Sequence, residues 1–218
     1  LADKLWVVGG AINNGGLAFR WARDTFGPDP YEALLQRAQQ APVGSDGLVF
    51  LPFLSGERSP HWNADARGVL FGLNLKHGRS HLIRATLEGV LYSMYSVFLS
   101  LRHIVPSDGK RPIEVRASGS FTRSAFWVQM MADVFGQAIT LPGVPEGSAF
   151  GAAALGMFST GHLASLEEVS GLVGKPKAVF LPNGENHEVY QRLFAVYERV
   201  YRNLTGEFEA ISKLQNEC

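Results

Sequence analysis

The sequence predicts an α/β fold built in layers. Short apolar runs suited to buried strands recur along the chain, several run into glycine-containing turns, and segments of helical periodicity follow them. At 218 residues the chain is long enough for one large domain with a sizeable core.

Residues 6–12 (Trp-Val-Val-Gly-Gly-Ala-Ile) read as a buried strand entering the turn Asn13-Asn14-Gly15-Gly16. Leu17, Trp21 and Thr25 recur at helical spacing up to Phe26; Pro28 and Pro30 interrupt, and Pro30 opens a second helix reaching Gln40. Residues 47–54 form an apolar run expected as a strand. Residues 55–68 are expected as a loop, and a loop of that length in a compact domain is usually functional or packed as a unit. Residues 80–101 give the clearest helix: Leu82, Ile83, Leu87, Val90, Leu91, Met94, Val97, Phe98 and Leu101 share a face, with Ser80 as N-cap. Residues 113–117 read as a strand, Ser118-Gly119-Ser120 as a turn, and 124–135 as a helix with Phe126, Trp127, Met130, Met131 and Val134 on one face. A short strand at 138–140 follows. Next come a helix at 148–159, whose Ala and Gly content suits close packing, and a last amphipathic helix at 186–204 with Val189, Leu193, Val196 and Val200 inward.

Composition narrows the function classes. Twenty lysines and arginines balance twenty aspartates and glutamates, so nothing points to a nucleic-acid or anionic-membrane partner. The single cysteine, Cys218, allows neither an intrachain disulfide nor a cysteine-based zinc site, and a reducing, cytoplasmic setting is the simple expectation. No run approaches the roughly 18 apolar residues of a membrane span. Residues 1–4 do not read as a signal peptide, and the missing initiator methionine suggests a fragment.

Two turns have chemical potential: Gly15-Gly16 at a helix start, and Ser118-Gly119-Ser120 between a strand and a helix. Glycine lets backbone come close to a ligand, and the free amides of a helix N-terminus point at an anion. Taken alone, either turn serves chain reversal as readily as ligand binding. Neither is followed by the lysine-serine or lysine-threonine pair of a Walker A loop, and Gly-x-Gly-x-x-Gly is absent from both, so a nucleotide site here belongs to another class.

A longer string of motifs is more specific. Gly56-Glu57-Arg58-Ser59-Pro60, Trp62-Asn63, Ala66-Arg67-Gly68 and Gly72-Leu73 follow one another, then Arg84-Ala85 and Leu87-Glu88-Gly89-Val90. Ala117-Ser118-Gly119-Ser120-Phe121-Thr122-Arg123-Ser124 comes next, then Trp127, Gln129 and Ala132-Asp133-Val134-Phe135-Gly136, and last Glu146-Gly147-Ser148-Ala149 with Gly151-Ala152-Ala153. In order and spacing the string resembles the FGGY family of carbohydrate kinases from about Trp6 to about Gly161.

That resemblance implies a ribonuclease H-like, actin-like ATPase domain: an α/β mixed sheet flanked by helices, lacking its first strands here. Residues 1–218 would be the C-terminal nucleotide-binding domain of a two-domain enzyme, with the sugar held mainly by the other domain. It implies ATP or ADP and Mg2+ as cofactors. Gly16 and Arg20 would line one wall of the nucleotide site, and Gly119, Ser120 and Arg123 the other. Arg20 and Arg123 stand where relatives often carry amides, and a guanidinium can stack on adenine or reach a phosphate. Within the family the strings around Glu57 and Ser118 look most like gluconate kinases, which transfer the γ-phosphoryl group of ATP to a hydroxyl of gluconate; xylulose kinases usually carry a triple-glycine second turn. The catalytic aspartate of the family is expected upstream of Leu1, so no catalytic residue is assigned in this chain and the chain alone is expected to be inactive. A kinase for another pentulose or polyol and a non-catalytic actin-like nucleotide-binding module are the alternatives, and a homo-oligomer stays open.

Other residues have plainer readings. Glu57 and Arg58 suit catalysis or a salt-bridged loop, the loop being favoured. Asp65 with Arg67 suits a loop-fixing pair, Glu88 a hydrogen-bonded turn, and Asp133 a cap or pair within its helix. His77 and His81 flank a helix start and read as surface residues rather than metal ligands. Tyr190, Phe194, Tyr197 and Tyr201 read as core or as an oligomer contact.

Overall fold

A computed structural model describes residues 7–104, 113–144 and 147–217. In chain order the elements are α1 (Gly15–Phe26), α2 (Tyr31–Ala38), β1 (Val49–Leu51), β2 (Val69–Phe71), α3 (Arg79–Ile104), β3 (Val115–Arg116), α4 (Ala125–Phe135), β4 (Ile139–Leu141), α5 (Gly147–Ser159), α6 (Val169–Leu172), β5 (Ala178–Phe180), α7 (Gly184–Asn203) and α8 (Thr205–Glu217). They form two compact units, one of Leu1–Arg111 with Glu185–Cys218, the other of Pro112–Gly184.

The first unit is organised around α3. Its residues 83–93 are buried on every side, so it is a central helix rather than the one-faced helix its periodicity suggests. α1 and α2 pack on it, as does β1, which pairs antiparallel with β2 in the register Val49↔Phe71, Phe50↔Leu70 and Leu51↔Val69. Strand and helix approach so closely that a Cβ on Gly89 would land on the carbonyl oxygen of Phe50. The aromatic stripe of α7 is core: Tyr190, Phe194, Tyr197 and Tyr201 are all buried, with Tyr95 to Phe194 at 4.8 Å and Tyr92 to Tyr197 at 5.5 Å between ring centroids. Val189, Leu193 and Val196 are only half-buried beside this stripe, because the larger rings occupy the inner line of the helix.

One buried polar network sits inside this apolar packing. Arg84 Nε donates to Glu88 Oε1 at 2.8 Å, Nη1 to the carbonyl of Ala41 at 2.8 Å, and Nη2 to the hydroxyl of Tyr190 at 3.0 Å. Glu88 Oε1 also accepts from the Gly44 amide (2.9 Å) and the Tyr190 hydroxyl (3.1 Å), and Oε2 from Ser45 Oγ (2.8 Å). Burial pushes the Glu88 carboxyl up, while the Arg84 charge and the Ser45 and Gly44 donors pull the other way. Glu88 thus holds the turn at Gly44-Ser45, where Gly44, Ser45 and Asp46 all have positive φ.

The loop expected at 55–68 is real and packed as a unit. Asn14 anchors it from the start of α1, giving Nδ2 to the Gly56 carbonyl (2.8 Å) and accepting from Ser55 N (3.2 Å) and Ser55 Oγ (2.9 Å). The strand expected at 6–12 is not formed within residues 7–12. That segment is tied down by a reciprocal pair, Ala11 N to Ser59 Oγ and Ser59 N to the Ala11 carbonyl, with no ladder beside it, and Val7 and Val8 are 74% and 48% exposed. Trp6 lies outside the described residues. At the far end of the loop Ser212 of α8 donates to Asp65 Oδ1 (2.7 Å) and accepts from Arg67 Nη2 (2.8 Å), so Asp65 and Arg67 fix the loop through a shared hydroxyl. α8 lies beyond the last helix that the sequence periodicity marks.

Glu57 and Arg58 do not form the salt bridge expected of them. The Arg58 guanidinium lies over the Trp62 ring at 5.6 Å, whereas Glu57 is 3% exposed and turned inward. Glu57 Oε1 accepts a long bond from Ser93 Oγ of α3 (3.5 Å), and Oε2 has no partner among the described residues. Tyr197 and Tyr201 of α7 lie close enough to feel its charge. Burial therefore raises its carboxyl to about 7, against a smaller opposing pull from Ser93.

The second unit holds a mixed three-stranded sheet, β3-β4-β5. β3 and β4 are parallel (Val115↔Ile139, Arg116↔Thr140), and β4 and β5 antiparallel (Ile139↔Phe180, Thr140↔Val179, Leu141↔Ala178). α4 packs on it, and Trp127, Met130, Met131 and Val134 of the expected face are buried while Phe126 is half-buried. Asp133 Oδ1 accepts from Gln129 Nε2 (2.8 Å) within the helix and from the Asn183 amide (2.9 Å), joining α4 to the chain after β5. α5 departs from the close packing expected of it: among its described residues only Ala154 is buried, while Leu155 and Met157 stay exposed.

Two stability predictions follow from these contacts. Gly89→Ala forces a side chain against β1 backbone and should lower unfolding free energy by about 2–3 kcal/mol in urea titrations; an unchanged midpoint would remove the close approach. For Glu57 the folded pKa lies above the ordinary 4.5, so the folded state binds more protons between pH 4.5 and about 7. Stability should fall as pH rises through that window and level off above it. Glu57→Gln should abolish the slope and stabilise the protein at pH 8 by about 1–3 kcal/mol, with little difference at pH 5. Equal stabilities of variant and wild type at both pH values would count against the buried acid.

Candidate functional site

The Gly119 turn is built from both sides. The parallel ladder continues one bond past β3, with Ala117 N donating to the Thr140 carbonyl at 3.0 Å, and this delivers Ser118 and Gly119 at the carboxyl end of the strand. Gly119 takes φ 104° and ψ 176°, a conformation open essentially to glycine alone. Its carbonyl accepts from Thr122 N (3.1 Å) and Thr122 Oγ1 (2.7 Å), which closes the 3-10 turn Ser120–Arg123. Ser124 then caps α4, its Oγ accepting from Trp127 N at 3.2 Å. A strand end and a capped helix start therefore bracket the turn, and the two bonds to the Gly119 carbonyl tie it from within.

The turn opens on a cavity of about 490 Å³, within the size range of small-molecule sites. Ser118, Gly119, Thr122 and Arg123 form one side; residues 141–144, following β4, and Lys177, preceding β5, form the other. Gly119 and Arg123 are thus brought to one cavity. Ser120 is exposed in the same turn but does not line it. Thr122, the 141–144 segment and Lys177 carry no motif in the sequence, since backbone pairing rather than residue type places them.

Gly16 and Arg20 belong to the other unit. They lie four residues apart on the first turns of α1, both exposed, and a Cβ on Gly16 would meet open space. The buried Asn14 just before them fixes where this helix begins. Glu57 has no exposed oxygen to offer a substrate, so the loop reading fits it better than the catalytic one. Ser80 lies inside α3 rather than capping it, its hydroxyl bonded to Gln40 Oε1 (3.3 Å), while His81 Nδ1 accepts from Gly78 N (3.1 Å). His77 Nε2 contacts the Asp46 carbonyl (3.3 Å) and His81 Nε2 the Asp46 carboxylate (3.2 Å), so both rings bind the Asp46 turn. Glu146, in the last motif, lies outside the described residues.

Residues 1–160 match the model of the FGGY family of carbohydrate kinases, C-terminal domain. The chain is 40% identical to a gluconokinase of Bacillus subtilis (strain 168) across 99% of its length and 43% of the relative's. It is 33% identical to a xylulose kinase of Staphylococcus epidermidis across 92% of its length and 40% of the relative's. Its structure superposes on a gluconate kinase from Lactobacillus acidophilus with a TM-score of 0.84 and 33% identity, covering 93% of this chain and 40% of that one. On a glycerol kinase of Plasmodium falciparum with ADP the TM-score is 0.71 at 26% identity, covering 88% and 38%. The chain therefore spans about 40% of the length of these relatives. The fold is the actin-like ATPase fold expected from the motifs, α/β with a mixed sheet flanked by helices. A family match over residues 1–160, joined to likeness across nearly the whole length, fixes the assignment: this chain belongs to the FGGY family of carbohydrate kinases.

Proposed function

We propose that this chain is the nucleotide-binding part of an ATP-dependent carbohydrate kinase whose acceptor is gluconate. The observation that carries the nucleotide reading is the Gly119 turn opening on a cavity with Arg123 on its wall, in a chain of a carbohydrate-kinase family. Backbone brought close at glycine, the Ser118 hydroxyl and a guanidinium suit a nucleoside phosphate. Gly16 and Arg20, on the exposed start of α1, are assigned to the nucleotide as well, and Ser120 to its backbone cradle. Gluconate is preferred because the relatives named gluconokinase match more of the chain at higher identity than those named xylulose kinase.

Phosphoryl transfer rests on positioning and on stabilising charge at the transferred group. In this reading the chain contributes positioning. The γ-phosphoryl acceptor and the base that activates it are assigned to no residue here. Magnesium, which the kinase reading implies, finds no carboxylate among the described residues lining the cavity, and no residue of this chain is assigned to it. No helix among the described residues is long and apolar enough to cross a membrane; a cytoplasmic setting is part of the proposal.

Calorimetry with ADP tests the nucleotide reading. The chain should bind ADP, and Gly119→Val should abolish binding while circular dichroism stays unchanged; unchanged binding would remove Gly119 from the site. The sugar is tested separately, in a protein of the relatives' length that carries this chain. With ATP present, gluconate should be phosphorylated at least about tenfold more efficiently than xylulose or glycerol, the margin expected when a site hydrogen-bonds its own substrate. Faster turnover of xylulose would overturn gluconate and leave the nucleotide reading standing.

A further inference from the structure

The cavity at Gly119 carries a second cation outside every motif. Lys177 lines it opposite the turn, seventeen residues beyond the last one that the family model matches. Its place is set by backbone. The pairing Leu141↔Ala178 ends the β4–β5 ladder, and Lys177 N donates to the Leu141 carbonyl at 2.9 Å immediately after it. Gly143 holds the approach tight: a Cβ there would come within 2.7 Å of the Lys175 carbonyl and 3.0 Å of that of Val173. The segment leading to Lys177 is therefore pressed onto the 141–144 wall.

The electrostatics of the cavity are one-sided. Among the described residues Arg123 and Lys177 are its charged lining residues, with no acidic side chain beside them. Neither has an ion pair or side-chain hydrogen bond among the described residues. Two cations on a cavity of about 490 Å³ both act on whatever occupies it, within the roughly 8–10 Å over which salt leaves charges coupled. Together they favour an anion over a neutral ligand of the same shape.

We infer that Lys177 is a nucleotide-positioning residue that, with Arg123, selects the phosphorylated nucleotide over its neutral nucleoside. This rests on the nucleotide reading of the cavity proposed above. Lysine contributes as a mobile point charge, and the planar arginine supplies the directional contact.

The test compares ADP with adenosine, by calorimetry on the 218-residue chain and its Lys177→Gln variant. Lys177 is exposed, so the variant should keep the wild-type circular dichroism. The ADP dissociation constant should rise about 3- to 10-fold in the variant, as for loss of one charge-assisted contact, with adenosine binding changed by less than about twofold. The salt dependence of ADP binding should weaken as well, and Lys177→Arg should restore most of the affinity. Equal weakening of both ligands would make Lys177 a wall of the cavity rather than an anion contact and overturn the inference. So would unchanged ADP binding by the variant. A wild-type chain that binds no ADP overturns the nucleotide reading and takes this inference with it.

Discussion

Among the described residues of the first unit, packing is organised around one buried ion pair. Arg84 and Glu88 lie one turn apart on α3, so their partnership is set by helix geometry. Each then reaches outward: Arg84 to the Ala41 carbonyl and to Tyr190 on α7, Glu88 to the Gly44 amide and the Ser45 hydroxyl. Two segments distant in sequence, residues 41–45 and α7, converge on two side chains of α3. Such a pair is weak evidence of added stability, because desolvating both charges costs about what their attraction returns. Its effect is positional. Losing either partner leaves a buried charge, about 3–5 kcal/mol, so alternative packings of the Gly44 turn or of α7 against α3 are excluded.

The Gly119 turn is placed by different means. It needs no buried charge, because a strand ladder ends on one side of it and a capped helix begins on the other. The residues that face the cavity are consequently free to be chosen for chemistry. Of the two neighbours lining the cavity, Thr122 donates its hydroxyl proton to the Gly119 carbonyl, while Arg123 makes no side-chain bond among the described residues.

Much of this was legible in the residues. The periodicity of α3, α4 and the aromatic stripe of α7 marks the core, and Gly89 and Gly119 stand where backbone demands glycine. The motif string points to the family. What escaped has physical causes. Residues 7–12 are as apolar as a strand, yet a strand exists only with a neighbour's ladder, and Ser59 offers only a two-bond tie. α8 has a weak apolar pattern, and its hold on the loop runs through Ser212, a hydroxyl 147 residues from Asp65. Lys177 lies in a stretch without periodicity, and only the β4–β5 register brings it to the cavity. Glu57 and Arg58, adjacent in sequence, invite pairing, but each finds another partner: Glu57 accepts from Ser93 and Arg58 lies over Trp62.

The two buried glutamates of the first unit show how far environment, rather than residue type, decides behaviour. Glu88 has four donors, one of them a guanidinium, and they oppose the upward push that burial exerts on its carboxyl. Glu57 has one long bond and an unpartnered oxygen, so burial wins and the carboxyl titrates near neutrality. A carboxylate retained in the core at such a cost usually answers to something other than folding stability. Here the candidate is the loop itself. Its seat between α3 and α7 tightens when Glu57 takes up a proton, because the neutral acid costs less to bury beside Tyr197 and Tyr201 than the ion does. The Gly56–Gly68 stretch is therefore where the raised Glu57 carboxyl couples the stability of the first unit to pH, in the direction that burial sets.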